Sequence, residues 1–223
     1  MEIVEDIEDK IKSNDFRKGE KLPSERKLAI RYNVSRNVIR EAITTLKTRG
    51  LVKIKTGKGI FVIEPNEEIA SKSLENVFRS YKITKLDVLE VREELELIIV
   101  KKAIQSITQP DLDKLKEIYY DMEKCRYNIL EYIKKDEEFH LTLAKSTQNF
   151  AFYILIHSFF GFTESELFAL TETWPSSISI AQKHHGLIIK AIEESDEELA
   201  SNIISKHMDT IRGTMQIQNE NDG

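Results

Sequence analysis

The amino-acid sequence predicts a mainly α protein in two parts. A basic N-terminal unit of three helices closed by a β-hairpin is joined to a C-terminal all-α helical bundle. Three observations carry this expectation. Alternation of apolar and polar residues is confined to one short stretch, residues 52–62. Apolar residues elsewhere recur at helical spacing. The charge also changes sign along the chain: residues 1–66 hold 15 Lys+Arg against 10 Asp+Glu, and residues 67–223 hold 18 against 28. A split of this kind points to two domains with different partners, the first of them able to meet a polyanion.

The elements follow in order. Ile3, Val4, Ile7 and Ile11 mark an amphipathic helix over 2–13, which Asn14-Asp15 and Gly19 break. Pro23-Ser24-Glu25 opens a second helix, with Ser24 as cap and Leu28 and Ala29 facing the core. Asn33-Val34 is a short turn. Ser35 caps a third helix through about Arg49, with Val38, Ile39, Ala42, Ile43 and Leu46 as its apolar stripe, and Gly50 ends it. Val52-Lys53-Ile54-Lys55 and Gly59-Ile60-Phe61-Val62, around Thr56-Gly57-Lys58, form the hairpin. Three helices and a hairpin are the plan of a winged helix-turn-helix, assigned to residues 1–66. Residues 67–72 are read as a linker and the start of the next helix. Residues 73–218 form the bundle, and 219–223 a polar tail. Helices are expected at about 67–80, 86–106, 111–125, 128–147, 149–170, 177–194 and 197–217, separated at Thr84, Gln109-Pro110, Asn128, Trp174-Pro175-Ser176 and Ser195-Asp196.

Several function classes are set aside by composition. The chain is 40% hydrophobic and 32% charged, a globular balance. The longest apolar stretch, Phe150 to Phe162, contains His157, Ser158 and Gly161. It falls short of the roughly 20 residues that a bilayer requires, so no membrane partner is expected. The acidic start, Met1-Glu2-Ile3-Val4-Glu5-Asp6, is unlike a signal peptide. One cysteine, Cys125, excludes a disulfide framework and a multi-cysteine zinc site. A cytoplasmic protein is the simplest reading.

Ser35-Arg36-Asn37-Val38-Ile39-Arg40 suits the start of a recognition helix, whose first residues enter the major groove. Arg36, Asn37 and Arg40 share one side, while Val38 and Ile39 are expected to turn inward. Arginine donates twice to a guanine edge and asparagine pairs with adenine. Arg26, near the start of the preceding helix, is placed to hold a phosphate. Gly57 and Gly59 let the wing backbone approach a groove, and Lys58 adds charge at the tip.

These segments carry a resemblance. Gly19-Glu20-Lys21-Leu22-Pro23-Ser24-Glu25-Arg26-Lys27-Leu28-Ala29, Val34 to Ala42, Gly50-Leu51-Val52 and Gly57 to Val62 look like the N-terminal domain of GntR-family bacterial transcription regulators. Lys18, Asn37 and Ile60 depart from that pattern, and only Asn37 touches base preference. The resemblance implies that Arg26, Ser35, Arg36, Asn37, Arg40, Gly57 and Lys58 sit at DNA. It also implies a homodimer reading a near-palindromic double-stranded operator, most simply as a repressor.

The second part holds five histidines: 140, 157, 184, 185 and 207. Asp136 and His140 are four apart on one helix and share a face. His185 and His207 stand symmetrically about the break at Ser195-Asp196, so two antiparallel helices would bring them to one height. A carboxylate and three imidazoles would then converge, a set that suits zinc and also nickel or manganese. An i,i+4 Asp-His pair is equally the signature of a simple ion pair. Leu89 to Glu96, Asp136 to Leu143, His185 with Ile188 and Ala191-Ile192, and Ser205 to Met208 resemble the FadR subfamily's effector domain, in its metal-binding branch. That resemblance implies Asp136, His140, His185 and His207 as ligands. His184 stands where glutamate usually precedes the ligand histidine, and counting back from Ala191-Ile192 favours His185.

The effector implied is a small carboxylate. Arg92 is a candidate to pair with it, or a surface partner of Glu96. Asn149 either reaches the pocket or caps a helix. The aromatic run from Phe150 to Phe162 reads as core or dimer packing. An acyl-coenzyme A-responsive or metal-free regulator of the same family is the nearest alternative. A metallohydrolase with a DNA-targeting domain would need a general base near the metal. No His-Glu-x-x-His set is present, and Glu137 and Glu138 should point off the ligand face, so no enzyme is expected.

Overall fold

The computed structural model describes residues 2–63 and 67–221, with the side chains of 67–68, 166, 170 and 214–221 left out of the description. The chain divides into two compact units, Met1–Ala70 and Ser71–Gly223. The Glu64-Pro65-Asn66 joint lies outside the described residues, as does the end of the polar tail.

The first unit contains α1 (Glu2–Lys12), α2 (Glu25–Tyr32), α3 (Arg36–Thr48), β1 (Val52–Lys55) and β2 (Gly59–Val62). Ser24 caps α2 by accepting the Lys27 N–H, and Ser35 caps α3 by accepting the Val38 N–H. Between these helices Asn33 takes a left-handed conformation (φ 53°), which asparagine tolerates better than most residues. β1 and β2 pair antiparallel with Val52 opposite Val62 and Lys55 opposite Gly59. The turn places Gly57 at φ +71° and Gly59 at φ +116°, where a side chain would be strained. Ile7, Leu22, Leu28, Ile39, Ile43, Leu46, Val52 and Val62 build one core.

One prediction is corrected here. Val38 does not face the core; it is 42% exposed. The buried residues of α3 are Ile39, Ala42, Ile43 and Leu46, a complete i, i+3, i+4, i+7 stripe. Val38 lies one helical step outside that stripe. The wing also has a feature absent from the sequence reading. Residues 19–22 run beside β2, with Leu22 N–H donating to Ile60 O and Val62 N–H donating to Glu20 O, both at 2.9 Å. This covers one edge of the hairpin.

The chain continues from the first unit into the second through α4 (Glu67–Ser80), and the second unit then contains α5 (Lys85–Ser106), α6 (Gln109–Cys125), α7 (Ile129–Ser146), α8 (Phe150–Thr173), α9 (Ser176–Glu193) and α10 (Glu197–Asn221). Thr84 and Thr108 open α5 and α6 with reciprocal capping boxes to Asp87 and Asp111. Asn128 caps α7 through the Glu131 N–H. α8 runs three residues beyond its expected end, because nothing in Leu170–Thr173 breaks a helix before Pro175. α7 packs between α6 and α8, and α10 packs on α9 and α5. Their shared core includes Leu89, Val100, Ile118, Phe139, Leu143, Ile156, Phe160, Ile188, Ile204 and Met208. Among the described residues, no helix is long and apolar enough to cross a membrane.

Candidate functional site

Two sites emerge, one in each unit. In the first, Ser35, Arg36, Asn37, Val38 and Arg40 are all exposed at the start of α3, and Arg26 is exposed on α2. Gly57 and Lys58 are exposed at the hairpin tip. The cause is local: the Ser35 cap starts the helix, and burial of Ile39 and Ile43 rolls its first polar residues outward. Glu25, in the first turn of α2, faces this surface. The Arg40 guanidinium donates to it at 3.1 and 3.4 Å, and Arg36 Nη2 lies 3.6 Å away. The hydrogen bond from Arg40 holds the Glu25 carboxyl below its ordinary range, despite some opposing burial.

In the second unit, Asp136 and His140 of α7, His185 of α9 and His207 of α10 converge, each offering a ligand atom within 4.8 Å of the others. All four are buried. His185 Nε2 lies 3.2 Å from Asp136 Oδ1 and 3.4 Å from His140 Nε2. His185, not His184, joins the cluster. The His184 ring is only partly buried and sits 5.9 Å from that of His207.

The electrostatics fit a cation. Burial, reinforced by the neighbouring imidazoles, pushes His185 and His207 well below the ordinary histidine range. Neutral imidazole is the form that binds metal. Burial raises Asp136, while His140 and Arg92 pull the other way. Both ring nitrogens of His207 and Nδ1 of His185 are buried without a hydrogen-bond partner. Leaving a buried polar atom unsatisfied costs about 1–3 kcal/mol, and a central ion would satisfy several at once. The donor set, one carboxylate and three imidazoles, matches a borderline divalent metal.

Behind the cluster lies a residue whose role the sequence reading missed. Glu96, on α5, is 1% exposed. One of its oxygens is 2.6 Å from Arg92 Nε and the other 2.6 Å from His140 Nδ1. Burial alone would raise its carboxyl, but His140 and Arg92 beside it hold it well below the usual range. A carboxylate at Nδ1 leaves Nε2 of His140 to face the cluster. The only sequence signal was the i,i+4 spacing from Arg92, which surface pairs share.

Arg92 is not a surface ion pair. It is fully buried, its guanidinium stacks 3.8 Å from the Phe160 ring centre, and Nη1 and Nη2 have no hydrogen-bond partner. Of the two readings left open for Asn149, an effector contact or a cap, its contacts match the cap. It is exposed at the start of α8, where its side chain accepts the Ala151 N–H. That is capping, because the first N–H groups of a helix lack backbone partners. Glu137 and Glu138 point away from the cluster: Glu137 lies 3.6 Å from His157, and Glu138 accepts from Lys135 at 2.7 Å. Asp136 and His207 also form one wall of a cavity of about 40 Å³ that Tyr132, Thr171, Ser177 and Thr210 help to line.

The two units match known families separately. Residues 1–62 match the family described as bacterial regulatory proteins, gntR family, and residues 87–210 match the FCD domain. Over 222 residues the chain is 27% identical to the HTH-type transcriptional repressor NanR of Cronobacter sakazakii, spanning 96% of this chain and 84% of that one. It is 33% identical over 139 residues to the HTH-type transcriptional regulator LutR of Bacillus subtilis, spanning 62% and 64%. Among solved structures it is similar to Streptococcus agalactiae GntR, with a TM-score of 0.69 and 25% identity over 95% of this chain and 97% of that one. The fold is also that of E. coli McbR/YncC, at a TM-score of 0.51 and 18% identity over 100% and 97%.

Proposed function

The chain belongs to the gntR family of bacterial regulatory proteins, in the branch that carries an FCD domain, and from that premise we propose a metal-dependent, carboxylate-responsive repressor. The protein is a DNA-binding transcription regulator and not an enzyme. The observation that carries the finer reading is the buried Asp136, His140, His185 and His207 cluster with its unpartnered ring nitrogens.

In this reading these four side chains hold one divalent cation, zinc by preference, with nickel and manganese as alternatives. A metal able to take more than four ligands would leave room for a carboxylate oxygen beside these four side chains. Glu96 fixes the orientation of His140. Arg92 offers two free guanidinium nitrogens to the same carboxylate, a fork geometry that suits it. Effector binding alters operator affinity only if it favours one arrangement of the DNA-binding units over another. Arg26, Ser35, Arg36, Asn37, Arg40, Gly57 and Lys58 are the residues we assign to DNA, on a near-palindromic operator read by a homodimer in the cytoplasm. The buried polar set argues against a metal-free regulator.

The test is direct. Metal-stripped protein is titrated with zinc by calorimetry, and operator binding is measured with a panel of small carboxylates. His185→Ala is expected to abolish metal binding and effector response together while DNA affinity without effector stays within about twofold. His184→Ala is expected to change neither. Zinc affinity unchanged in His185→Ala overturns the metal assignment.

A further inference from the structure

Glu25 is not among the residues assigned to DNA, yet it accepts hydrogen bonds from one that is, Arg40, and is an ion-pair neighbour of another, Arg36. It emerges from the N-terminus of α2, one residue after the Ser24 cap, and reaches the first turn of α3. Its carboxylate takes two hydrogen bonds from Arg40, at Nη2 and Nε, and has Arg36 Nη2 at 3.6 Å. The arginine side chains remain 59% and 62% exposed, and that of Glu25 27%. Ion pairs this open to water contribute little to folding. The pair therefore has small value as a stabiliser, and its position, between the two arginines at the major-groove end of the helix, gives it another use.

We propose that Glu25 is a positioning residue for base recognition: it holds the Arg36 and Arg40 forks in place and keeps them from closing on arbitrary phosphates. Two physical effects act together. Arginine has many rotamers, and fixing them before binding removes an ordering cost that would otherwise fall on the complex. The fixed fork is then presented to a guanine edge, which takes two donors in one plane. Nε and one Nη of Arg40 are occupied by Glu25, leaving the outer donors directed away from α2. The second effect is repulsive. A carboxylate behind the arginines lowers the local positive potential, which weakens sequence-independent phosphate binding. Only a contact as good as a correctly placed base edge outweighs it. Specificity gained this way includes an element that works against the wrong partner. The proposal rests on α3 being the DNA-reading helix, and the two can fail separately.

The experiment uses the full chain. A selected duplex is obtained from a random-sequence pool with the wild-type protein, and a scrambled duplex of equal composition serves as the non-specific probe. The measured quantity is the ratio of the two affinities at one salt concentration. Glu25→Gln keeps size and removes charge. It is expected to bind the scrambled duplex several-fold more tightly, and to lower the ratio about tenfold. A fraction of misfolded protein scales both affinities alike, so a merely structural role for Glu25 in α2 leaves the ratio unmoved; that result overturns the proposal. In an Arg40→Ala background, Glu25→Gln is expected to change the ratio by less than threefold. A full tenfold change there also overturns it, because the carboxylate would then act without the arginine it holds. If the wild-type protein selects no sequence, the failure lies with the reading of α3 as a recognition helix, and Glu25 has nothing to position.

Discussion

At the scale of single residues, the second unit shows how much chemistry depends on one buried carboxylate. Glu96, on α5, touches both Arg92 and His140. Removing its charge takes the paired anion from Arg92 and leaves a neutral amide in place of a carboxylate at Nδ1 of His140. Such outer partners of metal-binding histidines typically contribute 10- to 100-fold in affinity. Glu96→Gln is therefore expected to weaken zinc binding by about that factor, with the four ligands untouched. Calorimetric titration of the metal-stripped variant checks this. An affinity equal to that of the wild type would show that His140 is oriented by packing against Phe139 and Phe160 instead.

At the scale of elements, α7 presents two faces with opposite needs. Asp136 and His140 look into the cluster, while Glu137, the next residue, meets His157 of α8. Burial, with the nearby Glu164 charge adding to it, pushes the Glu137 carboxyl up to about 7. The folded state thus keeps a proton that the unfolded chain loses near its ordinary value of 4.5. Stability must then fall as pH rises between about 4.5 and 7. With 29% of the side chain still reached by water, the loss is ~2 kcal/mol. Urea unfolding of metal-stripped protein should show this slope, and Glu137→Gln should flatten it while adding stability at pH 7.5. A variant with the same slope as the wild type would place the titrating group elsewhere.

Elements of this kind were largely legible in the sequence. Caps and breakers such as Ser24, Ser35, Thr84, Asn128 and Pro175 act through the few residues beside them, so their positions mark helix ends directly. The Asp136-His140 spacing and the symmetry of His185 and His207 about one turn were legible for the same reason. Contacts between distant segments were not. The strand-like run of residues 19–22 beside β2, the reach of Glu25 to Arg40, and the burial of the Arg92-Glu96 pair all depend on tertiary placement. For Arg92 the sequence left an effector contact and an exposed i,i+4 pair with Glu96 equally open, and it is the packing of α7, α8 and α10 against α5 that puts both residues inside. Val38 was misplaced by one helical step for a simpler reason: an apolar side chain next to a stripe does not reveal whether it belongs to it.

At the scale of the whole molecule, the reading of a homodimer makes a prediction about surface. Val91, Leu95 and Ile98 recur at i, i+4, i+7 along the outer side of α5, and Val91 and Ile98 are 56% and 46% exposed. An apolar stripe of this kind marks an association surface more often than isolated exposed residues do. Sedimentation at micromolar concentration should give twice the 25.9 kDa chain mass. Ile98→Glu should shift it toward one chain and weaken operator binding, because a single recognition helix covers too few base pairs for a tight site. A wild-type protein that sediments as a single chain, with and without DNA, contradicts the dimer.

The position of His207 has one further consequence, which concerns time and not space. Three of the four proposed ligands lie on α7 and α9, and the fourth comes from α10, the last helix described. Translation delivers these helices in order, at roughly 5–20 residues per second. Until α10 has been made and has folded back onto α5 and α9, the growing chain holds one carboxylate and two imidazoles of the set. The four-ligand set cannot be complete before α10 is made. A nascent chain stalled before that helix would present the DNA-reading unit already complete, with no means of answering an effector. Quality control that removes such chains would keep from an operator a regulator that cannot answer an effector.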